Sequence, residues 1–281
     1  MIREKVTPVL AWLPARLGPP RTGSVVLTVF GDALAARGGE IALPSLLQLM
    51  ARLGSNDGVV RTALSRLTAE GWLDRTRAGR TSFYRLAPRG IVESAAATVR
   101  IYGPLDRSWG GALRVVLADG DTDRAALEVS GYALIAPGVL IAPDCAPAPA
   151  DALALVATAP PDTLQAVSGK AWPLTGLSAA YAEFLERYGE MDVPSDIAPE
   201  DAMALRTLLI HDYRRIVLRD PRLPAALLPP GWPGHAARAS CASLYGVLIP
   251  GSEKWLDTVR NASGPLPRGP DASLRFNGAD R

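Results

Sequence analysis

Apolar residues recur at helical spacing from Gly23 to Leu34, where Val25, Val26, Val29, Phe30 and Leu34 share one face. Pro19 and Pro20 precede this stretch and Gly38-Gly39 follow it, so a helix bounded on both sides is predicted. Ile41-Ala42-Leu43 is long enough for a minimal strand. Pro44 suits the first turn of a second helix, where its missing N–H is not needed. Leu46, Leu47, Met50 and Leu53 give that helix one apolar face, and Gly54 ends it. Ser55 or Asn56 can cap a third helix. Its buried stripe is Val60, Ala63, Leu64 and Leu67, with Arg61, Thr62, Ser65 and Arg66 on the opposite side. Glu70-Gly71 closes it, and Leu73 to Leu86 reads as strand, Ala78-Gly79 turn, strand.

Past Ala87-Pro88-Arg89-Gly90, the segment Ile91 to Ile101 predicts a linking helix. Trp109-Gly110-Gly111 leads into a strand at Leu113–Ala118, and a helix is expected from Thr122 to Ser130. Tyr132–Ala136 and Val139–Ala142 are strand-like and split by Pro137-Gly138, and Asp151–Thr158 holds another strand after a Pro- and Ala-rich loop. This order suggests a small α/β sandwich on an antiparallel or mixed sheet. From Ser178 the pattern turns helical. A helix is expected at 180–188, and a longer one runs from Ala202 to Leu218 with Leu205, Leu208, Leu209, Tyr213, Ile216 and Val217 inward. Pro221 stops it, and Leu223–Leu228 forms a short capped turn. Two further helices are expected, His235–Leu248 and Glu253–Val259, before a Pro- and Gly-rich tail that frays after Gly264.

A chain of 281 residues has room for about two domains. With 48% hydrophobic and 21% charged residues, the composition is that of a soluble globular protein. No apolar run approaches the roughly 18 residues of a membrane span. Pro8, Pro14, Pro19 and Pro20 interrupt any signal-peptide core, so a cytoplasmic location is expected. Cys145 and Cys241 are the only cysteines, which excludes a disulfide scaffold.

Charge distribution adds more than the net value of +2. Residues 1–90 hold 13 Lys and Arg against 6 Asp and Glu, and the remainder holds 17 against 22. A basic front and an acidic back point to a polyanion at the front. Arg61, Thr62, Ser65 and Arg66 suit a helix that enters a major groove, because arginine donates to guanine or phosphate and short side chains allow close approach. Arg75, Arg77, Arg80 and Arg85 make the following hairpin a basic wing, suited to phosphates or the minor groove. The alternative is a winged-helix module used for protein contacts.

Catalytic chemistry is harder to find. His211-Asp212 lies mid-helix, where adjacent positions do not face each other, and His235 is the other histidine. Such a set makes a poor metal site, and no Gly-rich phosphate loop or nucleophile elbow occurs. The expectation is no enzyme, no metal and no cofactor. Arg214, Arg215 and Arg219 could meet an anionic effector, or form ordinary salt bridges.

The chain resembles the PaaX family of bacterial repressors of phenylacetic acid degradation. The resemblance lies in Phe30-Gly31-Asp32, Gly38-Gly39, the run Val60 to Leu67, Glu70-Gly71-Trp72-Leu73, and Gly79-Arg80 with Phe83-Tyr84-Arg85-Leu86. It continues through Gly131-Tyr132, Pro137-Gly138-Val139, His211-Asp212-Tyr213-Arg214-Arg215, Asp220-Pro221, Leu223-Pro224, Leu227-Leu228-Pro229, and Trp232-Pro233-Gly234 through Leu244-Tyr245. It implies an α+β protein of three parts: a winged helix-turn-helix at 20–90, a ferredoxin-like (Cas2-like) α/β sandwich at 91–175, and a C-terminal helical domain at 176–265. Residues 266–281 would be a flexible tail. It also implies a homodimer on a palindromic double-stranded operator, released by an aryl-CoA thioester such as phenylacetyl-CoA. In this sequence Arg61, Thr62, Ser65 and Arg66 would then read DNA, with Arg75, Arg77 and Arg80 as wing contacts. His211, Tyr213, Arg214 and Arg215 would form an effector or interdomain region. Two departures stand out: Trp109 is followed by Gly110-Gly111-Ala112-Leu113 where the family favours a Trp-rich opening, and Gly131-Tyr132-Ala133 replaces a Gly-Phe-Gly tendency. A different effector is therefore an open alternative. The Cas2 likeness raises a nuclease reading with Asp119 as metal ligand near Asp121 and Asp123; a solvated turn is the other account.

Overall fold

The computed structural model describes residues 21–103, 108–119, 122–150 and 152–276. Pro8, Pro14, Pro19, Pro20 and Asp121 lie outside them. The chain forms two compact units. The first runs to Gly103 and also takes Phe184–Leu218 and the residues from Arg238 onward; the second holds the stretch after Gly103 up to Glu183, together with Arg219–Ala237.

In the first unit, α1 (Thr22–Thr28) widens into a π-helical turn at Val29–Leu34 and tightens into a 3-10 turn at Ala35–Arg37. Gly38 and Gly39, at φ 85° and 72°, end it in a backbone region that glycine enters at little cost. Then come β1 (Glu40–Ala42), α2 (Leu43–Arg52), α3 (Asp57–Ala69), β2 (Leu73–Ala78) and β3 (Thr81–Leu86). Asn56 is the cap of α3: its side-chain oxygen accepts from the Val59 amide at 3.0 Å. The three strands form an antiparallel sheet in the order β1-β3-β2. Ala78 still pairs with Thr81, so the hairpin loop is Gly79-Arg80, one residue later than the sequence pattern placed it. Gly79 supplies the positive φ, 58°, that a type II′ loop needs at its first position. Three helices with such a sheet are consistent with a winged helix-turn-helix.

Behind the wing, α4 (Pro88–Tyr102) buries only Gly90, Ile101 and Tyr102. The same unit holds α8 (Pro199–Val217), whose inner face is as expected. It also holds most of α9 (Gly234–Thr258). The two expected C-terminal helices are in fact this one element, continuous through Pro250. The chain beyond Gly264 is not frayed as far as Phe276: Leu266, Ala272 and Phe276 are buried, and the Phe276 ring meets Tyr102 edge-on at 5.0 Å.

The second unit centres on a four-stranded antiparallel sheet of β4 (Leu113–Leu117), β5 (Ala133–Ala136), β6 (Val139–Pro143) and β7 (Leu153–Ala157), in the order β5-β6-β4-β7. Register sets Val115 opposite Ile141 and Val116 opposite Leu140, so successive residues serve opposite faces. On one face α5 (Arg124–Val129) brings Leu127 onto Val116, Leu140 and Ala142. On the other, α6 (Pro161–Ala171) brings Leu164 onto Leu113 and Ile141, together with Trp172 and Leu227. α7 (Leu174–Tyr188) begins three residues after α6 ends. No helix separates β6 from β7 among the described residues.

Candidate nucleic-acid interface

The polar side of α3 is exposed as the sequence predicts. Val60, Ala63, Leu64 and Leu67 are buried, and Arg61, Thr62, Ser65 and Arg66 all face solvent. The Thr62 hydroxyl donates back to the Gly58 carbonyl at 2.9 Å. Arg66 lies 3.6 Å from Glu70 one turn on, a solvent-screened pair that is easily exchanged for a phosphate or a base edge. The Arg66 guanidinium also lies across α1 at Gly23, where any Cβ would come within 2.9 Å of it.

The wing presents its arginines on an edge strand. Arg75 donates through Nε and Nη2 to Ser82 Oγ at 3.2 and 2.9 Å, across the hairpin. Arg77 donates to the Gly79 carbonyl at 3.1 Å, and Arg80 sits in the loop itself. Each keeps most of its donors for an incoming anion. Arg85, by contrast, is held 3.5 Å from Asp74.

The turn that follows α1 is tied to α4, α8 and α9 by a buried polar hub that the sequence pattern did not single out. Asp32, in the π turn, is 3% exposed. Its Oδ1 accepts from Tyr102 at 2.7 Å, Tyr245 at 2.8 Å and Arg275 at 2.8 Å, and its Oδ2 from Arg206 Nε at 2.8 Å. Burial alone would raise the Asp32 pKa; the two guanidiniums and the hydrogen bonds outweigh it and hold the carboxyl below its ordinary value. Burial and the adjacent Asp32 charge raise Tyr102 and Tyr245, so both phenols remain donors. Arg206 continues to Glu253 at 2.9 Å, and Arg37 joins Glu253 at 2.7 Å and Asp257. The visible trace in sequence is one aspartate on an otherwise apolar helix face; its partners lie 70 to 243 residues away.

The four residues of the suggested effector block do not form one cluster. His211 and Arg214 face α1: His211 Nδ1 is 3.1 Å from Thr28 Oγ1, and Arg214 Nη1 donates to Thr28 Oγ1 at 2.8 Å and the Ser24 carbonyl at 3.3 Å. Burial pulls the His211 pKa down to about 4, with Arg214 and Arg215 assisting and Asp212 opposing, so the ring is neutral at pH 7. Tyr213 packs between the rings of Phe184 and Phe276, and Arg215 is exposed. Helical spacing explains only part of this: 214 and 215 both lie within a turn on the side of 211 while 213 points elsewhere, and Arg215 is set apart by its exposure.

Asp119 closes a turn with Thr122, whose hydroxyl donates to its carboxylate at 2.9 Å, and Asp123 caps α5. Among the described residues, no three His, Cys, Asp or Glu side chains are grouped to hold a metal ion. Nor is any described helix long and apolar enough to cross a membrane.

Residues 21–90 match the family model described as "PaaX-like protein", and residues 172–258 match "PaaX-like protein C-terminal domain". The chain is 33% identical over 271 residues to the transcriptional repressor PaaX of Escherichia coli (strain K12), across 87% of this chain and 86% of that protein. Among solved structures it is similar to an uncharacterized protein from Mycobacterium tuberculosis, with TM-score 0.56 and 24% identity, over 83% of this chain and 97% of that one.

Proposed function

The chain belongs to the PaaX family of transcriptional repressors, and on that premise we propose that it controls phenylacetate catabolism genes by binding a palindromic operator as a homodimer. The observation that carries the DNA-reading part is the exposed Arg61, Thr62, Ser65 and Arg66 face on a helix buried along its other side. These four residues read bases, and Arg75, Arg77 and Arg80 hold phosphates. Release follows binding of an aryl-CoA thioester such as phenylacetyl-CoA in the region of His211, Tyr213, Arg214 and Arg215. The site of action is the cytoplasm.

The division of labour follows the segments: 20–90 meets DNA, 91–175 holds a ferredoxin-like sandwich, and 176–265 supports the effector region. The sheet order supports the middle assignment, because β5-β6-β4-β7 is the 2-3-1-4 order of a ferredoxin-like sheet. The helices depart from it: the second follows β7 instead of preceding it, and the two cover opposite faces. Leu117, Ile135, Leu153 and Leu155 are exposed on this sheet, and a second copy of the chain is the occupant we assign there.

The deciding experiment is a titration of a labelled fragment of the controlled promoter against random DNA at fixed salt. Arg66→Ala weakens operator binding by about 1–3 kcal/mol and random-DNA binding much less. An equal loss on both would remove the base-reading role, and wild-type protein with no salt-dependent affinity for either DNA would favour a protein-interaction module instead.

A further inference from the structure

The N-terminal turn of α3 holds a side chain out of keeping with its polar face. Val59 is 46% exposed, the one large apolar side chain of this helix left in solvent among the described residues. Seven residues separate it from Arg66, which sets both on the same edge of the helix, two turns apart. Between that edge and Arg61 runs a strip of short side chains, Gly58, Thr62, Ser65 and Ala69, all of them exposed. Such a strip lets the helix backbone come close to the surface it faces. It leaves Val59 as the apolar projection at the N-terminal end.

The neighbours of Val59 narrow what it can meet. The N-terminal residues of a recognition helix are the ones that contact base edges. Asp57, exposed in the first turn, repels a phosphate, which directs this end at the groove floor instead of the DNA backbone. Asn56 is the residue there with the chemistry to read adenine. Its side-chain oxygen, however, is turned back to accept from the Val59 amide at 3.0 Å, and a bidentate adenine contact needs that oxygen facing outward. The Val59 side chain has neither donor nor acceptor. Of the four base edges in the major groove, thymine alone presents an apolar group, its 5-methyl, and that is the edge an isopropyl group complements.

We propose that Val59 is a specificity-determining residue: its isopropyl group packs on the 5-methyl of one thymine in each operator half-site. It thereby sets a preference for thymine over cytosine at a position that the hydrogen-bonding side chains of α3 do not read. This rests on the repressor reading, because it requires α3 to enter the major groove.

The test subtracts the methyl group from the DNA. Each thymine of a labelled operator fragment is replaced singly by deoxyuridine, which keeps the base pair and removes only the 5-methyl. The full chain is then titrated by fluorescence anisotropy at fixed salt. Wild type loses about 3- to 10-fold in affinity at one thymine of each half-site. Val59→Ala loses as much on the unmodified operator, keeps its affinity for random DNA, and shows no further loss at that deoxyuridine, so the two deletions are non-additive. Val59→Ile retains the response to the methyl group. Thermal unfolding by circular dichroism establishes that both variants fold, as exposed helical positions allow. The proposal fails if folded Val59→Ala binds the operator as wild type does. It fails if the Val59→Ala loss adds to the deoxyuridine loss at every position, since Val59 then merely supports the helix. It fails also if wild type prefers the operator to random DNA yet ignores every thymine methyl; the repressor reading then stands without it. A wild type that does not distinguish operator from random DNA brings down both.

Discussion

Asp32 and His211 show two opposite uses of burial. The Asp32 carboxylate is kept charged by Arg206 and Arg275, so replacing it leaves two cations facing each other in the interior. Asp32→Ala is expected to cost about 3–5 kcal/mol, read as a lower urea midpoint. Its folded pKa is depressed, so its stabilisation is complete above the ordinary carboxylate value of 3.8 and is lost as pH falls through the lower folded value. His211 is kept neutral, with a folded pKa of about 4 against 6.5. As pH drops from 6.5 to 4, the unfolded chain takes up a proton that the folded chain refuses, and stability falls by about 3 kcal/mol. His211→Gln should flatten that part of the stability–pH curve; a curve as steep as wild type would contradict the assignment. Legibility follows the range of each contact. The outward face of α3 was readable because its buried and exposed positions alternate within one helix. Asp32 was not, because neither phenol nor guanidinium that satisfies it is local. The Phe30-Gly31-Asp32 block carried the family resemblance without disclosing that role.

Elements show the same division. The wing and helices α1 to α3 were legible because capping, glycine turns and period-two alternation are local signals. Helix α6 was missed: it buries only Leu164 and Ser168, too thin a stripe for periodicity, though Pro160-Pro161-Asp162 marks a possible start. Helix α9 was divided at Pro250-Gly251 because both residues normally break helices. Packing reverses that inference. Gly251 meets α8 so closely that a Cβ there would lie 2.7 Å from the Ala202 Cβ. Gly251→Ala should therefore destabilise by about 1–3 kcal/mol despite the higher helix propensity of alanine, measurable by chemical denaturation. In the wing, Arg75→Ala with Arg77→Ala should reduce the slope of log affinity against log salt by about 2 and leave sequence preference intact. A changed preference would make these arginines base readers.

At the scale of the whole molecule, helix and sheet classes were legible, and the grouping of segments into compact units was not. The sequence reads as three successive regions, whereas the first unit collects Phe184–Leu218 and the chain from Arg238 onward beside the N-terminal helices. Such grouping is decided by long-range burial, which no window of residues records. The exposed apolar sheet of the second unit gives the proposed dimer a test: Leu153→Asp with Leu155→Asp should shift sedimentation from dimer to monomer and weaken operator binding with it. A pair of substitutions that leaves the dimer intact would move the interface elsewhere.

The span of the Asp32 hub bears on how the chain is made. A ribosome delivers Asp32 early, Arg206 after a further 174 residues and Arg275 after 243. Until then the first helix carries a carboxylate whose partners do not yet exist, and its apolar face lacks α8. The turn after α1, although translated early, thus gains its last buried partner only near the end of synthesis. A nascent or truncated chain ending before Arg275 would leave the buried Asp32 carboxylate short of one of its two cations. Quality control would meet it as an unfinished fold before any promoter met it as a competitor.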